Sequence, residues 1–274
     1  MDPEPNAVTS TSTASGITTV LINRPHRRNA VDPEAAKKLY QKIVAFEEDP
    51  SQKVCILAGS HGTFSAGADL HEASTMKESP GKRENLQPVQ HGNLGPMGPS
   101  RLHVKKPIIS AVAGYAVAGG LELSLIGDMR VVEEDAVFGV FCRRWGVPLI
   151  DGGTVRLQAV VGLGRALDMI LTGRPVSAQE ALAIGLASRV VPKGKALEEA
   201  TALANQLLSF PQLSMNLDRQ SCYYSAYNAA TLDDALSNEF NRGVEVLEKE
   251  SIQGAAKFSK GDGRHGRPSG SAKL

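Results

Sequence analysis

The chain has 274 residues, 42% hydrophobic and 22% charged, with 27 glycines and a formal net charge of +1. That length suits one large domain or two small ones, and so even a charge balance speaks against a nucleic-acid partner held by phosphate neutralisation. Cys55, Cys142 and Cys222 are odd in number and lack CxxC spacing, so neither a disulfide framework nor a metal site is expected, and a reducing compartment fits best. The longest apolar stretch, residues 108–126, is interrupted by Gly114, Gly119, Gly120 and Glu122, and falls short of a bilayer span. No membrane partner is expected.

Residues 1–15 carry acids, no Arg and no apolar core; they resemble neither a secretory signal nor a transit peptide and read as a disordered leader. A strand is predicted over Ile17–Ile22, ended by Asn23-Arg24-Pro25. Asp32 before Pro33 then opens a helix whose Ala36, Leu39, Tyr40, Ile43 and Phe46 share one face. Strands follow at 54–58, 107–112, 129–132, 136–138 and 188–191. Helices are predicted at 121–126, 152–161 and 165–171, and another opens at Ser177, where Glu180 completes a capping box. The polar, Pro/Gly-rich stretch from Ser74 to Arg101 reads as a mobile functional loop. Beyond residue 195 everything is helical: Ala196–Leu208, Gln212–Tyr227 and 232–249. Alternating strands and helices followed by helices alone predict an α/β core, 16–195, with a helical segment, 196–258, and a loose basic tail, 259–274. Three amphipathic helices need an apolar partner, either the core or another subunit.

Three segments combine glycine-dependent backbone with polar side chains: Phe64-Ser65-Ala66-Gly67-Ala68-Asp69, the run from Gly114 through Gly119-Gly120 to Glu122, and Pro148-Leu149-Ile150-Asp151-Gly152-Gly153-Thr154. In the second, a strand meets a Gly pair that starts a helix. First-turn amides have no internal acceptor and point outward, with the positive end of the helix dipole behind them, so they suit an anion or a developing oxyanion. Glu122 sits in that same turn; the plainer alternative is that it complements the dipole while the glycines serve close packing. Neither GxGxxG nor a P-loop occurs, which removes the usual nucleotide readings.

Taken together, the order and spacing of these segments resemble the crotonase (enoyl-CoA hydratase/isomerase) superfamily. Asn23-Arg24-Pro25, Asn29-Ala30, Lys106-Pro107, Leu171-Thr172-Gly173 and Gly185-Leu186 extend the likeness over about residues 16–260. The resemblance implies a spiral of ββα units with C-terminal helices packing between subunits of a homotrimer or homohexamer. It implies an acyl-CoA substrate, no further cofactor, and a thioester carbonyl polarised by two backbone NH groups, those of Ala68 and Gly119. The CoA moiety would run past Ala66, Asp69 and Leu70. Arg27 or Arg28 would meet its phosphates or else form a solvated turn.

Hydratases of this superfamily use two glutamates, of which the first matches Glu122. The second falls at Cys142, and a thiol is a poor substitute for a carboxylate near neutral pH, so Cys142 is expected as inert lining. Asp151 matches, with a one-residue difference in the preceding loop, the working aspartate of dienoyl-CoA isomerases; alternatively it caps the helix beginning at Gly152. Glu122 and Asp151 would then form a carboxylate pair whose burial separates an acid from a base. Arg143, Arg144 and Trp145 depart from the superfamily pattern and line either the acyl pocket or a subunit contact. The expected activity is 2-enoyl-CoA hydration, the alternatives being double-bond isomerisation and a non-catalytic CoA-binding scaffold. The terminal Ala272-Lys273-Leu274 resembles a peroxisomal import signal, the alternative being a cytoplasmic protein that ends so by chance.

Overall fold

The structure, a computed structural model, describes residues 4–74, 86–90 and 92–261. Residues 75–85 of the expected loop, most of the expected tail and Ala272, Lys273 and Leu274 lie outside the described residues. The chain divides into two compact units, Met1–Ala204 and Asn205–Leu274. The division falls nine residues beyond the expected 195/196 boundary, inside a helix.

In the first unit, β1 (Val8–Ser12) and β2 (Ile17–Ile22) form an antiparallel hairpin that pairs Val8 with Ile22 and Ser12 with Thr18. From β2 the sheet continues in parallel through β3 (Val54–Gly59), β4 (Ile108–Val112), β6 (Met129–Glu133) and β9 (Arg189–Val191). β3 and β4 are apolar without alternation and buried nearly end to end, as parallel strands covered on both faces must be. A second sheet joins β5 (Tyr115–Val117), β7 (Val137–Gly139) and β8 (Val176–Ser177). This is the expected α/β core.

β1 corrects the expectation of a disordered leader over 1–15. Only its first residue is buried, and the last three are exposed, so the polar Thr-Ser-Thr-Ser run is the outer row of an edge strand rather than an unstructured tail.

Helix α1 (Pro33–Glu48) starts as predicted: Asp32 accepts from the Ala35 amide at 2.7 Å with Pro33 in the first turn. Its Leu39, Ile43 and Phe46 are fully buried; Tyr40 is only partly so, its hydroxyl donating to Gly92 O at 3.0 Å. The short α2 (Leu70–Ser74) and α3 (Gly119–Ser124) follow the first two glycine segments, and α4 (Gly153–Val161) follows the third. After α5 (Leu163–Thr172), α6 (Ala178–Ala183) is capped by Ser177, which accepts from Glu180 N at 3.2 Å. The predicted reciprocal arm differs: the Glu180 carboxylate accepts from Arg174, which also holds Asp168. α7 (Ala196–Leu208) matches its predicted span.

The second unit holds the end of α7, α8 (Gln212–Tyr227), α9 (Leu232–Val246) and α10 (Ile252–Ser259). A π-helical turn, Leu247–Ser251, interrupts the single helix expected over 232–249. From that turn Glu250 accepts from the Leu213 and Ser214 amides at the start of α8, at 3.2 and 2.7 Å. The carboxylate caps a helix whose own N-cap residue, Pro211, contributes no side-chain bond. Among the described residues no helix is long and apolar enough to cross a membrane.

Candidate active site

The first two glycine segments lie side by side. Ser65 N donates to Tyr115 O at 2.8 Å and Val117 N to Ser65 O at 3.1 Å, so the loop after β3 runs along β5. On its other side Val31 donates to Gly67 O and accepts from Asp69 N, at 2.8 and 2.9 Å. In such extended pairing the amide between those two residues faces the opposite way, and that amide is Ala68's. Gly67 turns the loop at φ +98°, and a Cβ there would lie 3.0 Å from both Ala118 Cβ and Gly119 N. The bends thus touch at Gly67 and Gly119, an approach only glycine permits.

Ala118 has φ 54° and ψ −126°, a conformation an L-residue adopts under strain. Its amide spends itself on Gly139 O at 2.8 Å, which leaves Gly119 as the first helical residue of α3. Among the described residues neither the Ala68 nor the Gly119 amide has a protein acceptor.

Glu122, on the first turn of α3, and Asp151, just before α4, are 2% and 3% exposed. Glu122 Oε1 accepts from Asp151 N at 2.9 Å and from Gly153 N at 2.8 Å. It therefore complements the start of α4 and not that of its own helix. Asp151 does not cap α4. The N-cap is Gly152, in the left-handed conformation and without a side-chain bond, while Asp151 Oδ1 accepts from Met97 N at 2.9 Å and from the Ser100 hydroxyl. Each acid thus has one oxygen fixed and a second that, among the described residues, has no protein partner.

Burial, reinforced by the Asp151 charge, raises Glu122 to about 7 against the two amide bonds it accepts. Burial also raises Asp151, opposed first by the Ser100 hydroxyl and then by the Met97 amide and by Arg101 and Arg156.

Both acids line a pocket of about 250 Å³ together with Ala68, Gly119, Met97 and Cys142. Ala66, Asp69 and Leu70 line it too, as does Trp145, which is 71% exposed. Cys142 is buried, and burial together with the Glu122 charge holds its thiol above the ordinary range. That is the state of an inert wall, not of a nucleophile. Arg144 stacks on the Phe141 ring at 4.2 Å, and Arg143 donates to Ile170 O at 3.1 Å.

Arg27 and Arg28 are not brought to the pocket wall. Arg27 is half-exposed and 3.9 Å from Asp69; Arg28 is exposed at φ 51°, its carbonyl accepting from Ala66 N at 3.1 Å. The arginine that organises this wall is the one in Asn23-Arg24-Pro25, to which the sequence assigned no role in the site. Buried Arg24 bonds Glu4 at 2.6 Å, Asp32 at 2.7 Å, Asp69 at 3.1 Å and Ala30 O at 2.6 Å. It ties Asp32 and Asp69, the residues flanking Val31 and following Ala68, into one ion-pair cluster. Met97, Ser100 and Arg156 were also missed, because nothing local to them marks a loop that returns to Asp151.

Comparison with known proteins identifies the family. Residues 12–259 match the family described as enoyl-CoA hydratase/isomerase. The chain is 37% identical over 195 residues to enoyl-CoA hydratase EchA19 of Mycobacterium tuberculosis, covering 69% of this chain and 70% of that one. It is 33% identical over 207 residues to a short-chain-enoyl-CoA hydratase of Clostridium acetobutylicum, covering 75% and 77%. Among solved structures, an enoyl-CoA hydratase of Mycobacterium tuberculosis superposes with a TM-score of 0.82 at 28% identity, over 92% of this chain and 95% of that one. One from Geobacillus kaustophilus gives 0.81 at 26% identity, over 97% and 98%. With the family matched along nearly its whole length and the fold shared, this chain belongs to the enoyl-CoA hydratase/isomerase family of the crotonase superfamily.

Proposed function

We propose that the protein hydrates a 2-enoyl-CoA, with Glu122 and Asp151 as its acid–base pair and the Ala68 and Gly119 amides as its oxyanion hole. The observation that carries this reading is the meeting of two buried carboxylates, each with one oxygen free among the described residues, in the pocket bounded by those two bends. The thioester oxygen accepts from both amides, and charge that develops on it as the enolate forms is stabilised by donors already in place. Asp151, ionised, takes a proton from water as the water oxygen bonds to C3. Glu122, raised to about 7 and so partly protonated at neutral pH, delivers its proton to C2. Water has then been added across the double bond, and the two carboxyl groups exchange their proton with solvent to reset.

The acyl chain lies against Met97, Phe141 and Trp145, and the pantetheine arm leaves past Ala66 and Leu70. Glu72 and the Arg24-bound Asp32 and Asp69 put negative charge on this side of the pocket; among the described residues Arg27 and Arg28, both exposed, are cations for the CoA phosphates.

Cys142 in place of a second glutamate favours one alternative, proton transfer along a dienoyl chain by the same two acids. Incubating crotonyl-CoA and a 3,5-dienoyl-CoA with the protein and weighing the products separates the two. Added mass of one water supports hydration; a shifted absorbance at constant mass supports isomerisation; binding without turnover of either leaves a non-catalytic scaffold.

A further inference from the structure

Between the described residues 92 and 101 the chain makes a tight return. Gly95 and Gly98 exchange both backbone hydrogen bonds at 2.9 Å, and Pro99–Arg101 forms one 3-10 turn. Met97, Pro99 and Ser100 are buried there, Ser100 to 2% exposure. Two donors from this return, the Met97 amide and the Ser100 hydroxyl, converge on the same oxygen, Oδ1 of Asp151. Gly95 lies flat against the contact: a Cβ there would stand 3.1 Å from Oδ1 and collide with Ser100 Oγ. Arg156, from α4, closes the arrangement from the far side, donating to Asp151 O at 3.1 Å and to Ser100 O at 2.7 Å. A serine that satisfied only itself would need none of this.

We infer that Ser100 is a positioning residue of the reaction: with the Met97 amide it fixes Oδ1 of Asp151 and leaves Oδ2 as the one oxygen that takes up and returns the proton. The inference rests on Asp151 exchanging a proton during turnover. The charged and titratable groups facing Asp151 are Glu122 from α3, Arg156 from α4 and Arg101 from the 3-10 turn; the Cys142 thiol stands against Glu122. Of the groups that favour its ionised form, the Ser100 hydroxyl is the strongest, ahead of the Met97 amide and both arginines. Without that hydroxyl Oδ1 keeps the Met97 amide as its single anchor, and the burial of the carboxylate is less well opposed.

The test is the pH profile of kcat and kcat/KM for 2-enoyl-CoA hydration by the full-length Ser100→Ala protein, with Asp151→Asn and the double variant alongside. Ser100→Ala is expected to lower kcat about 10- to 100-fold, the scale of a misplaced catalytic group. KM is expected to stay within about threefold, and the acidic limb to move up by about one pH unit. In the Asp151→Asn background the same change should cost nothing more, since the two act as a unit. Should Ser100→Ala not fold, Ser100→Cys keeps a donor in place, slightly larger and weaker, and the same upward displacement is expected. An unmoved acidic limb, or losses that multiply in the double variant, would overturn the positioning role while leaving the acid–base pair intact. Turnover retained by Asp151→Asn alone would instead overturn the reading beneath it.

Discussion

The carboxylate of Glu122 is held by the main chain of the residue with which it shares the pocket: Asp151 N donates to Glu122 Oε1 at 2.9 Å. The same oxygen accepts from Gly153 N at 2.8 Å, so one side chain fixes both the start of α4 and the residue whose acid it opposes. Burial, and after it the nearby Asp151 charge, push Glu122 up to about 7, and the pair divides into an acid and a base.

Glu122→Gln keeps the acceptor oxygen and loses the proton. Hydration is expected to fall by about 10² to 10⁴-fold, the usual share of a general acid or base, with the CoA thioester still bound. Steady-state rates set against equilibrium binding of a saturated acyl-CoA check this, and a loss of binding in step with the rate would contradict it.

The same substitution makes a stability prediction whose sign follows from linkage. Glu122 titrates at about 7 in the folded protein against 4.5 unfolded, so the folded state holds the proton more tightly. Its contribution to stability is full below about 4.5 and is lost as pH rises through about 7. The glutamine variant escapes that loss: it should match the parent near pH 4 and exceed it near pH 8, by up to ~3 kcal/mol. Urea unfolding at the two pH values measures it; a variant that is weaker at pH 8 would show that the charge is well accommodated.

Arg24 is one guanidinium among three carboxylates, those of Glu4, Asp32 and Asp69. Arg24→Met leaves buried acid uncompensated, and a cost of about 3–5 kcal/mol is expected, read as a lowered midpoint of thermal unfolding. Asp69→Asn in addition should recover part of it, because the deeper of the unpaired charges is then gone. No recovery would mean that Asp69 is not what Arg24 chiefly serves.

Gly67→Ala forces a Cβ into the left-handed region and against Ala118 and Gly119, 3.0 Å away. The backbone must give, at a cost of about 1–3 kcal/mol, and the two amides must separate. A fall in kcat larger than the loss of stability would explain is expected from activity assayed well below the unfolding midpoint. Full activity would remove Gly67 from the construction of the oxyanion hole.

What could be read from the sequence was what is local to it. Asp32 with Pro33 announces the start of α1, and the spans of α7 and α8 follow from their own periodicity and breakers. The glycine bends were visible because a close approach demands glycine whatever its partner. The partners of Arg24 and the role of Ser100 were not visible for the opposite reason. Ser100 meets Asp151 across 51 positions and Arg24 meets Asp69 across 45, and neither partner leaves a mark near the other. Asp151 shows the limit from both sides: its sequence neighbours suit a helix cap, yet burial and a returning loop claimed its side chain, and Gly152 took the cap.

The most direct measurement is a structure of the protein with a bound 3-ketoacyl-CoA, whose thioester oxygen mimics the enolate. The account predicts that oxygen at about 2.7–3.1 Å from both the Ala68 and Gly119 nitrogens, with C2 and C3 facing the free oxygens of Glu122 and Asp151. A thioester oxygen bonded to only one of the two amides, or lodged elsewhere in the pocket, would contradict it.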